Sequence, residues 1–200
     1  MHAPGSPILG GVKILAFSGS LRAASINSAF CRAAVHLAPA GVQAQVFAGL
    51  GELPLFNPDL EVDPPPAVRA LRDAVGAADA LIVASPEYAH GISGVLKNAL
   101  DWLVSFEGTV GKPVALVNTS PRAHHAYDAL REVLQTMSAR VVADASIELP
   151  LLAVSATEAA MLAAPSVRHG VASLHAALAA HLAGQAAHLA GQGGAASFAL

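Results

Sequence analysis

The sequence predicts an α/β fold, a parallel sheet with helices packed on both of its faces. Three observations predict it. Short apolar runs, each closed by turn-forming residues, alternate five times with stretches whose apolar residues recur at helical spacing. The runs at 80–84 and 113–117 show no polar alternation, as expected of strands covered on both sides. Hydrophobic residues make up 54% of the 200 and charged residues only 12%, which supplies a core and argues against disorder over most of the chain.

The elements follow in order. Residues 1–11, rich in Pro and Gly, read as a flexible leader. A strand spans residues 12–17 and stops at Ser18-Gly19-Ser20. Ile26, Phe30, Ala33, Ala34 and Leu37 mark the first helix, and residues 42–47 form a second strand. Residues 49–66, rich in Pro and acidic side chains, read as a long irregular loop. A helix over 67–78 carries Val68, Leu71, Ala74 and Val75, and a third strand covers 80–84. The next helix, 93–105, buries Val95, Leu96, Ala99, Leu100 and Leu103. A fourth strand spans 113–117, a helix 125–137, and a weaker fifth strand 141–147. From 157 to about 189 the chain is Ala-rich and helical, with a break expected near Pro165. Five βα units in about 180 residues fit one flavodoxin-like domain over 12–190, a three-layer sandwich around a five-stranded parallel sheet in the order 2-1-3-4-5. A (β/α)8 barrel needs eight such units. Residues 191–200 read as a disordered tail.

Composition removes several function classes. The net charge is −3, with no block of Lys and Arg, which argues against nucleic acid and anionic membrane as partners. No apolar run reaches transmembrane length, and the N-terminus lacks the basic residues of a secretory signal. Cys31, the single cysteine, permits no intrachain disulfide and fits a reducing, cytoplasmic setting. Residues 151–200 hold only two charged side chains, Glu158 and Arg168, and a tandem heptad, Ala-Ala-His-Leu-Ala-Gly-Gln, at 179–185 and 186–192. That repeat reads either as a helix packing on another subunit or as a slipped repeat that frays.

In an open α/β sheet ligands bind beyond the C-terminal strand ends, so the loops after strands one, three and four are the ones to inspect. The first offers Ser18, Ser20, Arg22, Ser25 and Asn27 beside the free N–H groups of a helix start. Those groups suit a phosphomonoester. The loop lacks the Gly-x-Gly-x-x-Gly fingerprint of dinucleotide sites and the Gly-Lys-Ser/Thr of a P-loop. The plainer reading is a Ser-rich turn in which Ser25 or Asn27 caps a helix. In the loop after strand three, Gly91 and Gly94 let the backbone approach a flat ligand, against which Tyr88 or His90 lies. The plainer reading of His90 is an exposed loop histidine. Lys97 and Asp101 form a helix-stabilising i,i+4 pair, and Trp102 reads as core or interface. The loop after strand four is polar and closes over the same space. His124-His125 has no Cys or acidic partner at ligand spacing, so no metal site is expected.

Two segments resemble the NADPH-dependent FMN reductases, a family that includes quinone, chromate and azo-dye reductases. They are Gly19-Ser20-Leu21-Arg22-x-x-Ser25-x-Asn27 and Ser85-Pro86-Glu87-Tyr88-x-His90-Gly91-x-x-Gly94-x-Leu96-Lys97-Asn98-Ala99-Leu100-Asp101-Trp102. The resemblance covers residues 12–150. It implies a flavodoxin-like fold, non-covalently bound FMN, and homodimers or homotetramers in which a neighbouring subunit borders the flavin. It implies that Ser18, Ser20, Arg22, Ser25 and Asn27 hold the FMN phosphate. Pro86, Glu87, Tyr88, His90 and Gly91 would border the ring system, and Ser120, with Pro121 and Arg122, would match a third flavin loop. The sequence departs from many relatives at Ala89-His90, where Asn follows the Tyr, at Ser93, where Pro is common, and in the third loop, which is commonly Gly-rich.

The expected activity is transfer of a hydride from NADPH or NADH through FMN to a small acceptor, a flavin or a quinone, by ping-pong turnover. No side chain is required as acid or base in the hydride step, so no catalytic residue is named. Two other readings compete: a flavodoxin-like electron carrier and a flavin-binding sensor, neither turning over NAD(P)H. A serine hydrolase centred on Ser93 is disfavoured, because Val95 stands where the nucleophile elbow needs its last Gly.

Overall fold

The computed structural model describes residues 11–195. Along the chain the strands are β1 (Val12–Ser18), β2 (Val42–Val46), β3 (Ala80–Ala84), β4 (Glu87–Tyr88), β5 (Gly91–Ile92), β6 (Pro113–Asn118), β7 (Arg140–Val141) and β8 (Ile147–Glu148). The helices are α1 (Ile26–His36), α2 (Pro66–Ala77), α3 (Gly94–Leu103), α4 (His124–Thr136), α5 (Glu158–Ala163) and α6 (Pro165–Ala195). The main sheet is parallel throughout and runs β2-β1-β3-β6-β7, with β8 also paired to β6. Reading β6 and β7 as the fourth and fifth strands, this is the predicted 2-1-3-4-5 order.

Alternation along the strands sends successive side chains to opposite faces. Ile14, Ala16, Ile82, Ala84, Ala115 and Val117 pack under α1, α5 and α6. Leu15, Phe17, Leu81, Val83, Val114 and Leu116 pack under α2, α3 and α4. The first face is the smaller-chained one, and its alanines let the helices sit close to the sheet. On the second face Trp102 is fully buried, stands edge-on to Phe56 with ring centroids 5.0 Å apart, and donates Nε1–H to the Pro54 carbonyl at 2.8 Å. Asn98 reinforces that contact. Its Nδ2 donates to the same carbonyl at 2.9 Å, and its Oδ1 accepts from Phe56 N–H at 2.8 Å. The Asn98–Trp102 stretch therefore pins the long loop between β2 and α2.

The structure corrects two sequence expectations. The single fifth strand expected over 141–147 is split into β7 and β8 by a 3-10 turn at Ala143–Ala145, so the main sheet has six strands rather than five. The cause is Ser146. Its Oγ accepts from the buried Leu116 N–H at 3.1 Å and donates to Val142 O at 2.9 Å, replacing with a side chain the carbonyl a continuous strand would offer. The stretch after β3, read as a plain loop, is an antiparallel hairpin of β4 and β5.

The helix break near Pro165 is present, between α5 and α6. Val167, Val171, Leu174 and Leu178 of α6 are buried, and His175 beside them hydrogen-bonds Ala34 O through Nε2 at 2.9 Å. The helix continues to Ala195, into the stretch read as tail. Residues 1–10 of the expected leader and 196–200 of the tail lie outside the described residues. Among the described residues no helix is long and apolar enough to cross a membrane.

Candidate functional site

The first loop leaves β1 at Ser18 and turns through Gly19, whose N–H donates to Ala84 O at 2.8 Å. A Cβ on Gly19 would stand 2.7 Å from Ser85 Oγ and 2.9 Å from Ser93 Oγ, so glycine is what lets the first and third loops touch. Ser25 is the N-cap of α1 and accepts from Ser28 N–H at 3.2 Å. That bond does not spend its hydroxyl proton. Ser18 is buried, and its Oγ lies 2.7 Å from Ser28 Oγ. Asn27 is buried, and its Oδ1 accepts from Thr119 Oγ1 at 2.8 Å, tying the first loop to the one after β6.

The hairpin of β4 and β5 turns at Ala89 and His90, whose φ angles are 49° and 62°. Both lie in the left-handed region, the conformation of a two-residue type I′ turn, here without the usual glycine. Three contacts hold it. β4 pairs with β5. The His90 ring stacks on His125 with centroids 4.4 Å apart and planes 19° apart. Glu87 Oε2 accepts from Ala126 N–H at 2.9 Å. Ala123, at the N-cap of α4, has no side chain to cap that helix, and Glu87 supplies the acceptor from the hairpin.

The loop after β6 is braced by its own side chains. Asn118 Oδ1 accepts from Ser120 N–H at 3.0 Å, and Ser120 Oγ accepts from Arg122 N–H at 3.3 Å. Leu149 and Leu151 continue the pairing by donating N–H to Asn118 O at 2.8 Å and Thr119 O at 3.1 Å. This carries residues 152–156 up beside the strand ends.

These loops enclose a cavity of about 490 Å3, within the roughly 300–1,000 Å3 usual for small-molecule and cofactor sites. Of the residues singled out from sequence, Ser20, Arg22, Ser25, Asn27, Pro86, Glu87, Tyr88, Ser120 and Arg122 line it, and Pro121 does not. Ser18, His90 and Gly91 do not: Ser18 braces α1 from below, and His90 faces α4. Sequence reasoning missed Thr119 and the apolar wall of Leu152, Val154 and Ala156. The signal for that wall was its place after the fifth strand, at the same end of the sheet as the loops inspected. Ser93 is buried and caps α3 by accepting from Leu96 N–H at 3.4 Å, which gives it no nucleophile's exposure. Among the described residues no group of three or more His, Cys, Asp or Glu side chains is placed to hold a metal ion.

The donor set fits FMN. Ser25 at the N-terminus of α1, Ser20, Ser120, Arg22 and Arg122 all line the cavity, donors that suit a phosphate. A hairpin presenting Tyr88 and an apolar wall line the same cavity, which suits a flat heterocycle. A doubly wound sheet with this cavity beyond its strand ends belongs to the flavodoxin-like class.

Within that class, the family model of the NADPH-dependent FMN reductases matches residues 12–150, and the chain belongs to that family. It is 42% identical over 112 residues to the NAD(P)H-dependent FMN reductase PA1204 of Pseudomonas aeruginosa, covering 54% of this chain and 60% of that one. It is 39% identical over 112 residues to a 2-hydroxy-1,4-benzoquinone reductase of Burkholderia sp., covering 54% and 61%. The chain thus matches about six tenths of the length of these relatives. Among solved structures it superposes on FerB, a flavoenzyme NAD(P)H:(acceptor) oxidoreductase from Paracoccus denitrificans, with a TM-score of 0.65, covering 85% of this chain and 98% of that one at 24% identity, a likeness of fold.

Proposed function

We propose that the protein is an FMN-dependent NAD(P)H oxidoreductase whose acceptor is a quinone or a free flavin. The observation that carries this reading is that one cavity at the strand ends is lined by Ser20, Arg22 and Ser25 before α1 together with Tyr88 of the hairpin and Ser120. When bound, FMN supplies two-electron transfer between a nicotinamide and a second acceptor.

The chain's own residues bind and orient. Arg22 would offset the phosphate charge, the Ser25 hydroxyl would donate to it, and the first N–H groups of α1 would complete the cradle. Asn27 holds the first loop to Thr119, which keeps the phosphate end in register with the ring end. Pro86 and Tyr88 would border the ring, and Glu87, also on the cavity wall, fixes the hairpin to α4 through Ala126 N–H. Glu87 is therefore a positioning residue in this reading, and Ser18 supports the loop without reaching the ligand. His90 and Gly91, the remaining ring-bordering residues of the family pattern, act through the hairpin's shape.

The same reading makes the protein a cytoplasmic homo-oligomer built on one domain. Leu55 and Val62, 85% and 97% exposed on the long loop, are the apolar surface such an assembly would cover.

The test is steady-state NADPH oxidation by the reconstituted protein with a benzoquinone varied at several NADPH concentrations. Acceptor-dependent turnover with parallel double-reciprocal lines is expected. Absence of turnover in a protein that holds FMN would favour the electron carrier.

A further inference from the structure

Two arginines line the cavity, one after β1 and one after β6, and the chain builds both in the same way. Ser20 Oγ accepts from the backbone N–H of Arg22 at 3.3 Å, and Ser120 Oγ accepts from the backbone N–H of Arg122, also at 3.3 Å. Each is a Ser-x-Arg turn at a strand end, and all four residues line the one cavity. Neither guanidinium has a carboxylate within ion-pair reach among the described residues, a state they share with Arg131, Arg140 and Arg168, which do not line the cavity. The carboxylate on the cavity wall, Glu87, is already engaged by Ala126 N–H. Both arginines are solvent-exposed and line the cavity, so each can meet an anion that enters it.

FMN brings a single phosphate, and Arg22 at the start of α1 is placed for it. That leaves a second cationic turn with no anion assigned. We propose that Ser120 and Arg122 form a second anion subsite, which takes a phosphate group of the nicotinamide dinucleotide. The inference rests on the flavin reading above. The shared chemistry is a phosphate dianion or pyrophosphate met by a guanidinium and a hydroxyl. The source is either the 2′-phosphate, present in NADPH alone, or the pyrophosphate common to NADPH and NADH.

The experiment is calorimetric titration of FMN-reconstituted protein with 2′,5′-ADP and with ADP, comparing wild type with Arg122→Gln. The variant should weaken binding of at least one nucleotide by about tenfold or more, and by a larger factor than it weakens FMN binding. Loss confined to 2′,5′-ADP assigns the 2′-phosphate, and kcat/KM should then fall for NADPH and not for NADH. Loss with both nucleotides assigns the pyrophosphate, and kcat/KM should fall with both donors. Three results overturn the proposal: no binding of either nucleotide by wild type, equal affinities in wild type and variant, or a loss of FMN affinity in the variant at least as large as the loss of nucleotide affinity. The last would place the cofactor's own phosphate on Arg122. The same titration on flavin-free protein reads Arg122 independently. Failure of wild type to retain FMN would count against the flavin reading, and the subsite would then stand or fall on that titration.

Discussion

Arg22 lines the cavity and holds no ion pair among the described residues, so its removal separates binding from folding. Arg22→Ala should raise the FMN Kd roughly ten- to hundredfold, the worth of a hydrogen bond to a charged group. The melting temperature of the flavin-free protein should not move, and fluorescence quenching of FMN checks the first half of the claim. Cys31 makes the opposite kind of prediction. It is fully buried, its Sγ lies 3.5 Å from Phe17 O, and burial pushes its thiol up to about 12 from 9.0. The folded protein should not react with a thiol-directed reagent at neutral pH, and unfolded protein should react fully. The folded state keeps this proton more tightly than the unfolded one. The contribution is therefore whole below about pH 9 and is lost as pH rises toward about 12. At this scale the chemistry of Ser20, Arg22 and Ser25 was legible in the sequence, because hydroxyls and an arginine before a helix already describe a phosphate cradle. The orientation of Ser18 and His90 was not, because which way a loop side chain turns depends on contacts with Ser28 and His125, distant in sequence.

The hairpin and α4 behave as one unit. Ala123 cannot cap α4, and Glu87 does so across 39 residues of sequence. Glu87→Ala should cost about 1 kcal/mol, the usual worth of an N-cap, and lower the melting temperature by about 2–4 °C. It should also weaken FMN binding, and the lowered melting temperature of flavin-free protein distinguishes it from Arg22→Ala. The split fifth strand gives a second prediction. Ser146→Ala leaves the buried Leu116 N–H without its partner and should cost about 1–3 kcal/mol, read by denaturant unfolding. Ser155→Ala, an exposed site, is the control and should change little. The strands and helices were legible in the sequence because apolar runs and helical spacing are local. The hairpin was not, since it forms at Ala89 and His90 without the Asn-Gly or Asp-Gly that signals a type I′ turn. The apolar wall at 152–156 escaped for a similar reason, since it is placed by backbone bonds to Asn118 and Thr119 rather than by any motif.

At the level of the whole molecule, the order of the sheet decides where the cavity lies. β1 and β3 are neighbours and their helices leave on opposite faces, so the first and third loops diverge and open the space that the loop after β6 closes. Light scattering should give a mass that is an even multiple of 20.1 kDa if Leu55 and Val62 are covered by a second copy, and Val62→Asp should shift it toward the monomer. The central claim is that this cavity holds FMN in electronic contact with a nicotinamide donor. Its most direct test is the visible absorbance spectrum of the protein reconstituted with FMN, desalted, and titrated with NADPH in the absence of oxygen. The account predicts a flavin band that survives desalting at about one per chain and bleaches with about one equivalent of NADPH. A protein that emerges from desalting without flavin, or whose bound flavin does not bleach, would contradict it.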